Sequence, residues 1–264
     1  MAENRVPIIA FVWRPEDMVP PVTQMAHRTG SRAIFDFSMI GVDALRPFLR
    51  KADPAGQVRD IKISAPALMD PSLGQLLKET GAQNIWVECH PQFFRGDPSA
   101  FLQRLKELPE DYRCFPIIGD LNFLATVLTD SSGIGRIVLK GCEASGFVSG
   151  ETTLALYSAV KEMLRNSSKA RDILIWGSVS TPEAAAALLS TGATGIVFES
   201  VHWLTDLVAV DDLQRRRLSN LRLDSTDLVG LDLQVPCRLF NKGNSIAFKG
   251  IKRFENSLCG AKIT

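Results

Sequence analysis

Short apolar runs rich in β-branched residues recur along the chain. Each gives way to a turn and then to a segment whose apolar positions follow helical spacing. Residues 7–13, 33–37, 60–64, 84–88, 114–118, 137–139, 172–176 and 195–198 read as strands. Helical spacing follows over 18–28, 42–50, 70–80, 98–108, 122–128 and 152–165, and again in the alanine-rich stretch from Pro182. Some ends are marked: Gly81 stands where a C-cap favours glycine, and Thr181 precedes Pro182 as an N-cap, with Gly192 closing that helix. Eight strands alternating with helices over roughly 200 residues is the count of a (β/α)8 TIM barrel, the α/β class read here. A doubly wound open sheet is the alternative. It ordinarily has fewer strands, and no dinucleotide-type glycine fingerprint follows the first strand.

Beyond about residue 204 the pattern changes. Residues 213–223 have helical spacing, and the rest mixes short apolar runs with an Asn-Lys-Gly turn. The chain therefore divides into a barrel over 1–203 and, over 204–264, an appendage or lid packing on it. The last residues, Cys259 to Thr264, show no evident terminal element, which is also how a domain cut from a larger polypeptide looks.

Composition narrows the partners. The 264 residues, 45% of them hydrophobic, suffice for a full core. A net charge of +1, from 30 basic and 29 acidic residues spread along the chain, offers no electrostatic case for nucleic acid or a membrane surface. The run Arg215-Arg216-Arg217 reads as a solvated helix face. Five cysteines (Cys89, Cys114, Cys142, Cys237, Cys259) form no CxxC pair and no zinc spacing with the three histidines, so no metal site is expected. Free thiols fit a reducing compartment. The N-terminal apolar run is cut short by Arg14, Glu16 and Asp17, which leaves neither a signal peptide nor a membrane span, and the expected location is cytoplasmic.

In a barrel the C-terminal strand ends share one bowl. Here they carry Trp13, Asp36, Lys62, Glu88 with His90, Asp120, Lys140 with Glu143, Gly177 with Ser178, and Glu199 with Ser200. Small residues at the ends of the seventh and eighth strands suit a phosphate held by backbone N–H groups.

Two stretches add a resemblance. KGCEASGFVSG (140–150), and then ILIWGSVSTPEAAAALLSTGATGIVFES (173–200), resemble the nitronate monooxygenase (2-nitropropane dioxygenase) family. That family includes the flavin-dependent enoyl reductases of fatty-acid and polyketide synthesis. Gly141, Glu143, Ala144, Ser145 and Gly146 match its first loop. Gly177, Ser178 and Val179, then Gly192, Ala193, Thr194, Gly195 and Ile196, match the pattern that follows, and the resemblance spans residues 133–203. His90-Pro91 looks like the family's histidine-bearing loop after the fourth strand.

The resemblance implies a barrel holding FMN, with Lys140 and Gly141 beside the isoalloxazine and Gly177, Ser178, Glu199 and Ser200 near the phosphate. NADPH or NADH would serve as reductant. The implied reaction is reduction of an enoyl thioester, with acyl carrier protein and neighbouring synthase domains as partners and His90 or Lys140 polarising the carbonyl. The departures point elsewhere. Phe147 replaces the family's loop histidine, Ser178 replaces a phosphate glycine, Glu199 puts a carboxylate beside a phosphate, and the early glycine pair is missing. These support a barrel that has lost catalysis and serves as a docking or structural domain of a synthase. A phosphate-sugar enzyme sharing only the phosphate corner is a third reading. Plainer roles stand beside the chemical ones: His90 bonded to backbone, Lys140 paired with Glu143, Glu143 bracing its own loop, the cysteines inert. The tryptophans, Trp203 included, would be core, or in the case of Trp13 a ligand stack.

Overall fold

A computed structural model describes residues 6–14, 19–52, 57–94, 98–129, 134–165, 171–199, 202, 211–220, 222–241 and 245–261. Eight parallel strands close into a barrel: β1 (Ile8–Trp13), β2 (Arg32–Asp36), β3 (Asp60–Ser64), β4 (Asn84–Cys89), β5 (Arg113–Ile118), β6 (Arg136–Lys140), β8 (Asp172–Trp176) and β9 (Gly195–Phe198). The last returns to the first, with Ile9 opposite Ile196. The (β/α)8 reading holds.

Helices α1 (Val19–Thr29), α2 (Val42–Ala52), α5 (Ser99–Lys106), α6 (Leu121–Thr129), α7 (Thr153–Arg165) and α8 (Pro182–Ser190) lie between the strands. Their buried faces and the outward strand residues, such as Phe35, Ile61, Ile85 and Ile175, form the main core. The helix expected over 70–80 is α4 (Leu73–Thr80), and a separate short helix, α3 (Ala65–Leu68), precedes it. Asp70 separates them, because its carboxylate accepts from Ser72 N at 2.8 Å and Ser72 Oγ at 2.7 Å, a local turn that competes with helix. Gly81 caps α4 in the left-handed conformation, φ 70°. Thr181 caps α8 by accepting from Ala184 N.

Inside the barrel a second apolar cluster holds Val12, Ile34, Trp86, Phe115, Val138, Leu174 and Val197, with Trp86 stacked on Phe115 at 4.3 Å. Polar residues bound it at both poles, because Asp60, Lys62, Asn84, Glu88 and Lys140 are all buried strand positions.

The C-terminal residues add α9 (Asp212–Ser219), β10 (Thr226–Val229), β11 (Cys237–Phe240) and α10 (Ile246–Ala261). A terminal element therefore does exist in α10, contrary to the sequence expectation. Gly250 and the polar residues around it obscured its spacing. Strand β11 pairs with β10 and with β7 (Gly146–Phe147), a two-residue strand in the β6–α7 loop. The expected division at residue 203/204 lies outside the described residues, whereas this small sheet has strands from both sides of it.

Candidate functional site

The strand DIKIS alternates polar with apolar, and the inward positions of a parallel barrel are every second residue. That spacing places Lys62 inside, level with Asp36 of β2 and one inward position below Glu88 of β4. Lys62 Nζ lies 2.8 Å from Asp36 Oδ2 and 2.5 Å from Glu88 Oε2, and Lys140 Nζ lies 3.2 Å from Glu88 Oε1. Both ammoniums also sit over the Trp176 ring, at 5.2 and 4.7 Å from its centroid. Lys140 thus pairs with Glu88. Burial pushes the Glu88 carboxyl up, but the two ammoniums, Lys140 first, outweigh it and hold the group below the ordinary range. For Lys62 burial acts downward, and Glu88 with Asp36 reverse it, so the ammonium is held above its ordinary value. Each of the four charges Asp36, Lys62, Glu88 and Lys140 has a partner among the others.

His90 follows β4, buried at 7% exposure, with Phe147 at 5.6 Å and Phe93 at 6.1 Å. Burial lowers its pKa, against the pull of Glu88 and Asp120, so it is neutral at pH 7. His90 and Lys140 line one cavity of about 60 Å3 together with Glu88, Asp120, Phe147, Gln234 and Pro236. Sequence reasoning missed the last two, which come from the β10–β11 turn, and Pro236 O accepts from Val148 N at 3.0 Å.

The other predicted positions gather at the ends of β6, β8 and β9. Glu143 accepts from Thr153 N at 2.9 Å and Thr153 Oγ1 at 2.7 Å. Burial acts to raise its pKa, but these bonds, with a further one from the Ser178 side chain, keep it ionised at the N-terminus of α7. Glu199 accepts from Ser145 N at 2.7 Å, so both carboxylates brace one loop. A Cβ at Gly141 would stand 2.0 Å from Thr153 Oγ1, and one at Gly177 (φ 117°) 2.7 Å from the same atom. Close packing against α7 accounts for both glycines. Ser178 also has a left-handed backbone, φ 56°. Ser200 and Trp203 lie outside the described residues. Trp13 is fully buried on the outer side of the barrel, its ring 4.3 Å from His202, and does not face the bowl.

Solved structures match this fold. FabK from Thermotoga maritima matches with a TM-score of 0.72 at 16% identity, covering 98% of this chain and 78% of its own. The enoyl reductase domain of MlnA, from the macrolactin biosynthesis cluster of Bacillus amyloliquefaciens, matches at 0.62 and 15%, covering 89% and 63%. The nitroalkane oxidase of Streptomyces ansochromogenes matches at 0.61 and 12%, covering 89% and 78%. No family model and no curated protein sequence matches the chain. The chain has the fold of an enoyl reductase domain and of a nitroalkane oxidase.

At the phosphate corner that the resemblance implies, two carboxylates among the described residues already hold donors. Thr153 N, Ser145 N and the Ser178 hydroxyl are engaged by Glu143 and Glu199. Those two carboxylates would repel a phosphate. Beside Lys140 stands the Trp176 ring, its centroid 4.7 Å from Nζ, and Phe147 lines the cavity of about 60 Å3 that Lys140 and His90 share.

Proposed function

We propose that this chain is a lapsed oxidoreductase barrel that serves as a docking or structural domain of a multidomain synthase. One observation carries the reading: the bowl is filled by its own groups, with Asp36, Lys62, Glu88 and Lys140 saturating one another over Trp176. The likeness to an enoyl reductase domain of a macrolactin cluster supports a synthase setting. On α10, Ile246 (86% exposed), Phe254 (58%) and Leu258 (37%) form an i, i+8, i+12 stripe, an apolar face suited to a neighbouring domain of the same synthase.

The test is visible absorption of the purified protein, followed by titration with FMN. A colourless protein that takes up no FMN is the expected outcome, and a bound flavin would overturn the reading. Phe254→Glu is further expected to release the co-expressed neighbouring domain while the barrel stays folded.

A second reading is an FMN-dependent enoyl reductase or nitronate monooxygenase with NADPH or NADH as reductant. Two observations favour it: the fold likeness, and the meeting of His90 and Lys140 at one cavity. A flavin spectrum would bring that reading forward.

A further inference from the structure

Helix α10 turns its apolar residues outward and its acid inward. Ile246, Phe254 and Leu258 are exposed, whereas Glu255, the one acidic residue between Ile246 and Ala261, is buried. Its carboxylate accepts from Gly230 N and pairs with Lys252 at 3.6 Å. The exposed charges of the helix, Lys249 and Arg253, are both basic and stand one turn apart. At 100° per residue they edge the apolar stripe on one side.

Gly250 belongs to that stripe, since Ile246, Gly250, Phe254 and Leu258 follow one another at intervals of four. A Cβ built on it would meet no described atom within 4 Å. Its φ is not positive, so no left-handed backbone demands glycine there. Glycine inside a helix is less favourable than alanine. Close approach by a second backbone is the physical use of a glycine so placed, and a row of residues four apart is the ridge by which helices pack.

We propose that this stripe receives a second α-helix, amphipathic and acidic along one edge, from a neighbouring domain. The inference rests on the reading of α10 as a docking face and adds the chemistry of what docks. An apolar side chain of the incoming helix seats over Gly250, between Ile246 and Phe254, and its carboxylates meet Lys249 and Arg253. A second copy of this chain fits less well, because an antiparallel pair brings the cationic edge against itself. A membrane surface calls for a broad apolar face, and here glycine lies at its centre.

The probe is a synthetic amphipathic helix of about 20 residues, long enough to be helical in water, with leucines along one face and glutamates along one edge. It is labelled for fluorescence anisotropy and titrated with the whole chain. A matched helix carries lysines in place of the glutamates, vesicles of anionic phospholipid test the membrane, and sedimentation tests self-association. The glutamate helix is expected to bind, more weakly as salt rises, and the lysine helix about tenfold more weakly or worse. Arg253→Glu should reverse that preference. Gly250→Leu adds apolar surface, which would strengthen a loose apolar contact or vesicle binding, whereas close packing predicts a loss of about tenfold or more. Both positions are exposed, so the variants retain the fold.

Equal affinity for the two helices, tighter binding by Gly250→Leu, binding to vesicles alone, self-association through α10 or silence from every probe would each overturn the proposal. The lapsed-barrel reading is tested separately, by flavin uptake and by Phe254→Glu. A chain that takes up no FMN and loses its neighbouring domain in that variant, yet binds both helices equally, would keep that reading and sink this one.

Discussion

Glu88 is the residue on which the bowl turns. It is 5% exposed and holds two ammoniums, Lys62 and Lys140, that are themselves 3% and 2% exposed. Replacing one member of a buried ion pair leaves the others uncompensated, a loss of about 3–5 kcal/mol. Glu88→Gln is therefore expected to destabilise the fold by that amount in urea denaturation, and more than Lys140→Met, which leaves Glu88 paired with Lys62. Equal losses would show that the two lysines do not share the carboxylate. The residues of this chain were readable as polar strand ends. Their pairing was not, because Asp36, Lys62, Glu88 and Lys140 come from four separate strands.

At the scale of elements, the β6–α7 loop is held from three sides: by Thr153 of α7, which donates to Glu143, by Glu199 after β9, and by Arg238 of β11, which donates to Cys142 O. The β10–β11 turn is held in its turn by α10, where buried Glu255 accepts from Gly230 N. Gly230 cannot take a side chain, since φ is 79° and a Cβ would stand 2.2 Å from Val235 O. Removing a buried charged acceptor costs about 1–3 kcal/mol. Glu255→Ala is expected to lose that much and to speed exchange of the Gly230 amide, leaving the amides of β3 and β4 protected. Uniform acceleration across the barrel would refute a local role for α10. The β–α alternation was legible because each unit is local in sequence. The pairing of β7 with β11 was not, because two residues, Gly146 and Phe147, carry no strand periodicity of their own.

For the whole molecule the consequence is acid sensitivity. Burial lowers His202 to about 4, from the ordinary 6.5 of an imidazole, where its ring meets Phe11 and Trp13. The unfolded chain therefore takes up a proton on this histidine before the folded chain does. Stability is full above about 6.5 and falls as pH drops towards 4, by at most about 3 kcal/mol. Asp36 and Glu88, held below the ordinary range, add their loss at lower pH still, as the pH falls through their depressed values. Asp60 works in the opposite direction: burial raises it against Arg32, so acid relieves its cost. Urea midpoints at pH 7.5 and 5 should therefore differ clearly for the parent and much less for His202→Phe. An unchanged difference in the variant would assign the acid loss to other groups.

By itself the sequence determined the alternation of strand and helix, the (β/α)8 closure and the helix ends at Gly81 and Thr181, because periodicity and capping are properties of neighbours in the chain. It also put Lys140, His90, Gly177 and Glu199 at the strand ends. Only the tertiary structure decided what those ends do: which carboxylate takes which ammonium, that Trp176 lies beneath both lysines, and that Gln234 and Pro236 reach the same cavity. Such contacts join residues far apart in sequence, and their strength depends on burial and distance, which no local pattern encodes.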